Sequence, residues 1–170
     1  MPNHLRLSLR PDTDGTAEVF AHVEQVPFCG ASSAWFGIGK LREFGQQLQS
    51  TFPIVSAAPL CLQGGYWRKS EPTALEQMHL GLRVYPIGGT GIVGVRVTLA
   101  TPLEERDRPD SQHSVVVELI TNYEQLRTFG QAVIALANGQ VSYATLEADA
   151  GQPFVATDPL QWAPPSSAGW

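Results

Sequence analysis

Leu5, Leu7 and Leu9 alternate with Arg6, Ser8 and Arg10. A period of two predicts a strand with one buried face, and Pro11 to Gly15 then supplies a turn. A second strand is predicted from about Ala17 to Gln25, with Val19, Ala21 and Val23 facing away from Glu18, Phe20, His22 and Glu24. The small residues from Pro27 to Ser33 read as a loop leading to Trp35-Phe36. The period then changes: Ile38, Leu41, Phe44, Gly45, Leu48 and Phe52 share one face of a helix over about Ile38 to Thr51. Ser33 is a candidate cap, and Pro53 marks the stop.

A short strand is expected around Leu60-Cys61-Leu62, followed by Gly64-Gly65-Tyr66-Trp67 and a polar segment, Arg68 to Gln77. Leu80, Leu82 and Val84 form one arm of a hairpin, and Val93, Val95, Val97 and Leu99 the other. The glycine-rich turn Pro86 to Gly91 joins them. Leu103 to Gln112 is charged and reads as an exposed loop. Val115, Val117 and Leu119 resume a strand, and Thr121-Asn122-Tyr123-Glu124 matches a capping box. The second helix carries Leu126, Phe129, Gly130, Val133 and Ala137 on one face, Asn138-Gly139 stops it, and Val141 to Leu146 is a last strand. Residues 1–149 are thus expected as a single α+β domain. Residues 150–170, rich in Pro, Ala, Ser and Gly, are expected as an irregular C-terminal tail that carries Phe154, Trp162 and Trp170.

One word occurs twice. Leu41-Arg42-Glu43-Phe44-Gly45-Gln46 returns as Leu126-Arg127-Thr128-Phe129-Gly130-Gln131, identical at five of six positions. With the flanking elements this gives two approximate repeats, β-β-α-β and β-β-β-α-β; a chance match is the competing reading. The expected fold is a largely antiparallel sheet of about seven strands with two helices packed on one face. Glycine inside a helix costs roughly 1 kcal/mol against alanine, so Gly45 and Gly130 imply a close approach, expected here to be helix to sheet.

Composition removes several function classes. A net charge of −5, from 16 acidic and 11 basic residues, disfavours nucleic acid, whose binding needs a basic face. No apolar run approaches the ~20 residues of a membrane helix, and Met1 to Arg6 does not read as a signal peptide. A reduced, cytoplasmic protein is expected. A Cys29–Cys61 disulfide is not decided by their spacing.

No catalytic, cofactor-binding or metal-binding pattern is found, and a non-enzymatic protein is expected. Gly88-Gly89-Thr90-Gly91 joins two strands, where a phosphate loop leads into a helix and carries a lysine. Glu104, Glu105, Asp107 and Asp110 are interleaved with Arg106 and Arg108, which points to a solvated, self-compensating loop, without the oxygen spacing of a calcium loop. His4, His22, His79 and His113 lack neighbours at ligand spacing, and His22 near Cys29 is a weak nucleophile pair. Trp35, Phe36, Tyr66 and Trp67, expected in loops just before or after the first helix–strand unit and beside glycines, are candidate hot spots, their bland role being to close the ends of the core.

One resemblance joins these observations. Ala34-Trp35-Phe36 followed by Leu41, Phe44 and Leu48 is part of it, as are Leu60 and Leu62 and then Leu80-Gly81-Leu82, Val84 and Pro86. The turn at Gly91, the strand Val93 to Leu99, and Leu119, Thr121, Tyr123, Leu126 and Phe129 complete it. Over residues 17 to 147 the pattern resembles the WapI-type bacterial immunity proteins and their uncharacterised relatives. The resemblance implies a cytosolic antidote that binds a cognate toxin, with no catalytic residues. A basic toxin would be steered by acidic charge. The expected contact residues are Trp35, Phe36, Tyr66, Trp67, Glu104, Glu105, Asp107 and Asp110. The rival expectation is an assembly subunit that self-associates through an edge strand or the tail. Oligomeric state is not legible.

Overall fold

The structure, a computed structural model, describes residues 3–149; the expected tail lies outside them. Over these residues the protein has an α+β fold with two helices and antiparallel sheets. Eight strands are found among them, in two sheets of four. The first unit is β1 (His4–Pro11), β2 (Thr16–Gln25), β3 (Phe28–Gly37), α1 (Ile38–Ser50) and β4 (Leu60–Trp67). The second is β5 (Leu75–Ile87), β6 (Ile92–Ala100), β7 (Ser114–Asn122), α2 (Tyr123–Ala137) and β8 (Ala144–Glu147).

Each unit is therefore β-β-β-α-β. Pro27 to Ser33, expected as a loop, belongs largely to β3, whose ladder with β2 is unbroken from Gln25↔Phe28 to Thr16↔Gly37. Its residues from Cys29 to Ala34 are small on both faces, so no alternation of large apolar and charged side chains announced the strand. The small residues have a packing reason: a Cβ on Gly30 would stand 2.4 Å from Val115 Cγ1 of β7.

The first sheet runs β3-β2-β1-β8 and the second β4-β5-β6-β7. Each sheet thus takes three consecutive strands from one unit and its last from the other: β4 pairs with β5, and β8 pairs with β1. The hairpins repeat in register. Leu5↔Val23 and Leu7↔Ala21 in the first sheet correspond to Leu80↔Leu99 and Leu82↔Val97 in the second. These inward residues join Phe36, Leu41, Phe44, Leu126 and Phe129 in one continuous core. At ~25 cal/mol per Å² of apolar surface removed from water, such burial is the main favourable term in folding.

The ends of the helices differ from the sequence pattern in detail. Gly37, with no side-chain cap bond, precedes α1, while Ser33 instead donates to Glu18 Oε1 at 2.9 Å. At α2 the cap is Asn122, one residue past the expected Thr121: its Oδ1 accepts from Gln125 N–H at 2.9 Å. Thr121 points inward and is buried. The stop at Gly139 is as expected. With φ +72°, Gly139 donates to Leu136 O and Gln140 to Ala135 O, the paired bonds of a Schellman ending. The last strand begins at Ala144, later than expected, and Cys29 and Cys61 are exposed free thiols. No helix among the described residues is long and apolar enough to cross a membrane.

Candidate functional site: an acidic groove beside the β6–β7 loop

The two units differ most where β2 meets β3 and where β6 meets β7. In the first unit Val26 and Pro27 suffice; in the second, Thr101 to His113 intervene. An insertion in one copy of a repeated scaffold is free to vary without disturbing the core, as loops that carry function commonly do.

The inserted loop is built, not slack. At its neck Thr101 N–H donates to His113 O at 2.9 Å, and His113 N–H donates back to Thr101 Oγ1 at 2.9 Å. Gln77 of β5 holds the next stretch with both ends of its amide: Nε2 donates to Leu103 O at 2.8 Å and Oε1 accepts from Leu103 N–H at 3.0 Å. Asp107 Oδ2 accepts from Glu104 N–H, and Asp107 N–H donates to Glu104 O, both at 2.9 Å. A short 3-10 turn, Pro109–Ser111, ends the excursion.

Strand β4 supplies the facing wall. Its register against β5 shifts between Gly64 and Gly65 and again between Tyr66 and Trp67. Such bulges re-aim side chains at the rims of sheets. Only glycine fits at the first shift: φ is +157° and an added Cβ would lie 2.0 Å from Gln77 O. Beyond it, Tyr66 Oη donates to Glu104 Oε1 at 2.5 Å, and Lys40 of α1 lies over the Trp67 ring at 5.5 Å. The Tyr66 ring stands edge-on to His79, with centroids 4.6 Å apart.

Between these walls lies an open groove of about 1060 Å³. Tyr66, Trp67, Glu104, Glu105 and Asp107 line it together, with Glu76 and Gln77 on its floor and Arg68 and Lys69 at one side. Four carboxylates face two cations, so the groove is acidic. The expected internal compensation by Arg106 and Arg108 takes no ion-paired form: among the described residues the salt bridge found is Arg10–Glu18, elsewhere on the first sheet.

The hydrogen bond to Glu104 raises the Tyr66 pKa, with burial and the nearby carboxylates acting in the same direction. His79 is buried, with Nε2 3.1 Å from Gln77 Oε1. Burial lowers its pKa, and the charge of Glu104 partly opposes this. Beside the groove's carboxylates thus stand a phenol whose pKa is raised and, packed edge-on to it, a buried imidazole whose pKa is lowered. That arrangement suits cationic groups electrostatically; among the described residues no three His, Cys, Asp or Glu side chains converge as a metal centre.

Five of the eight expected contact residues therefore meet at one place. Three do not. Phe36 is buried at 4% exposure, inside the core, where its ring fills the space a side chain on Gly64 would take. Trp35 is half exposed but projects from the outer face of β3 opposite Glu18, and Asp110 sits in the 3-10 turn outside the groove lining. None of the four aromatics lies in a loop; they are on β3 and β4. Gln77 was missed as a site residue, as was His79, which packs against Tyr66 without lining the groove. The parity of β5 was the available signal, because inward Leu80 and Leu82 place both residues on the outer face, which reads as solvent until the loop covers it.

Comparison with protein-family models, curated proteins and solved structures returns no match.

Proposed function

We propose that this chain is a non-enzymatic, cytoplasmic binding protein whose acidic groove takes a basic segment of a protein partner, as an immunity-like antidote takes its cognate toxin. One observation carries the reading: the second unit inserts a hydrogen-bonded loop that gathers Glu104, Glu105 and Asp107 opposite Tyr66 and Trp67. Aromatic anchors beside carboxylates suit Lys and Arg side chains, which offer both an apolar stem and a cation. Charge on the rim raises the association rate and makes it salt-sensitive.

The test is co-expression with the product of the adjacent gene, followed by co-purification and a growth assay. The reading expects rescue of growth by the unaltered chain. It also expects a complex whose association slows with salt, and slows again in the Glu76→Gln/Glu105→Gln double variant, where neither side chain holds the loop. A complex indifferent to salt and to these changes overturns the groove as its seat. Failure to bind any neighbouring product overturns the antidote reading.

The exposed edge of β3 favours a second reading, self-association. Phe28 is 62% exposed and Trp35 50%, a large apolar presence on an edge strand. Light scattering separates the two readings, since a monomer at high concentration removes the second.

A further inference from the structure

The outer face of the first sheet carries a separate depression of about 400 Å³, within the size range of small-molecule sites. Arg6, Phe20, His22, Ala31, Pro102 and Tyr143 define it. Arg6 Cζ lies 5.3 Å from the Tyr143 ring centroid, so the guanidinium is laid against an aromatic face. A guanidinium held this way keeps its planar edge available for bidentate hydrogen bonding.

The charges in this depression are unbalanced. Glu24 on β2 and Glu147 on β8 both stand opposite His4, two residues along from Arg6, and Glu18, farther along β2, is engaged by Arg10 Nη2 at 2.6 Å and by Ser33 Oγ at 2.9 Å. Among the described residues no carboxylate pairs with Arg6. Its direct cross-strand neighbour is His22, whose imidazole offers a ring N–H as a further donor. An acid group seated between them can accept from both side chains. The remaining surface is mainly apolar, from Phe20, Ala31 and Pro102, with Ser8 and Thr101 among its polar members, and Arg10 Cζ lies 5.8 Å from the Phe20 ring centroid.

We infer that this depression is a binding site for a small planar aromatic carboxylate, its acid group on Arg6 beside His22 and its ring against Phe20. The site stands apart from the acidic groove and does not depend on the role proposed for it.

The probe is naphthalene-2-carboxylate, titrated into the full chain by NMR and calorimetry beside the uncharged naphthalene-2-methanol. Saturable binding of the acid is expected, about tenfold or more tighter than the alcohol, with shifts centred on Phe20, His22 and Tyr143. Arg6→Gln, at an exposed position, should remove the preference for the acid while leaving the fold intact by circular dichroism. Phe20→Ala should weaken both ligands. Arg10→Gln, whose cation is paired with Glu18 and lies over the Phe20 ring, should keep the preference for the acid even where it changes the affinity of both ligands alike. Equal binding of acid and alcohol, shifts centred elsewhere, or no saturable binding overturns the assignment. Tighter binding of a short Asp/Glu peptide than of the aromatic acid overturns it in favour of a polypeptide ligand.

Discussion

Gly45 and Gly130 face each other across the crossing of the two helices, each against the other's backbone. A Cβ on Gly45 would lie 2.9 Å from Gly130 O, and one on Gly130 would lie 2.6 Å from Gly45 O. The repeated word in the sequence is thus a two-sided contact, in which each copy supplies the glycine that the other copy needs. The close approach is helix to helix, not helix to sheet. Arg42 adds a tie at one end, its Nε donating to Asn138 Oδ1 at 2.6 Å.

Alanine at either glycine should destabilise the protein, although helix propensity alone favours alanine by about 1 kcal/mol. Overpacking costs about 1–3 kcal/mol, and here the obstruction includes a carbonyl oxygen that cannot rotate away. Gly130→Ala should be the worse of the two, because its Cβ would also meet Leu48 Cβ at 2.9 Å, whereas the nearest atom to Gly45 belongs to the Ile134 side chain. Once one substitution has separated the helices the second finds room, so the double variant should lose less than the sum. Urea unfolding of the three variants measures this; a stabilised Gly130→Ala would contradict the contact.

Thr121→Val should be neutral or stabilising by up to about 1 kcal/mol. Thr121 is 1% exposed and its Oγ1 has no partner among the described residues. An unpaired buried hydroxyl carries a desolvation penalty that an isosteric methyl removes. Had Thr121 been the helix cap, the same change would cost about 1 kcal/mol. Thermal unfolding distinguishes the two signs, and Asn122→Ala should show the loss that belongs to the cap.

The fold was legible wherever alternation or helical spacing involved large side chains. Leu5 to Leu9, Val93 to Leu99 and both helices fall where their periods place them. Strand β3 was hidden because Gly30, Ala31, Ser32 and Ser33 carry too little contrast to show a period. The partition into two sheets was hidden for another reason. Nothing local to β4 or β8 says that each pairs with the other unit, since their partners β5 and β1 are set by long-range pairing. At the groove, the aromatic and acidic halves were each visible in the sequence. Their meeting depends on Gln77, whose amide reads as one more polar residue until it is seen gripping Leu103.

Acidification should weaken the fold through His79. Burial sets its pKa below the ordinary 6.5, only partly offset by Glu104. The unfolded chain therefore takes up the proton before the folded one does. Stability is fully present above about pH 6.5 and declines as pH falls from there towards the folded pKa. Melting temperature against pH should accordingly drop more steeply for the natural chain than for His79→Gln over that window. Parallel curves would show that the ring titrates freely.

The amide grip on the loop predicts a local effect with a modest global cost. In Gln77→Leu both bonds to Leu103 vanish, and its part-buried N–H and C=O lose their partners. Each bond is worth about 1 kcal/mol net, so the global loss should be about 1–2 kcal/mol, tempered by water reaching the loop. Hydrogen exchange reads the local part: the Leu103 and Glu104 amides should open much faster, while amides at the helix crossing keep their protection. Tyr66 should follow, because Glu104 would no longer be held against it, and its phenol pKa should fall back towards the ordinary value of 10. If the loop amides stay protected, the neck at Thr101 and His113 carries the loop alone and Gln77 is only a lining residue.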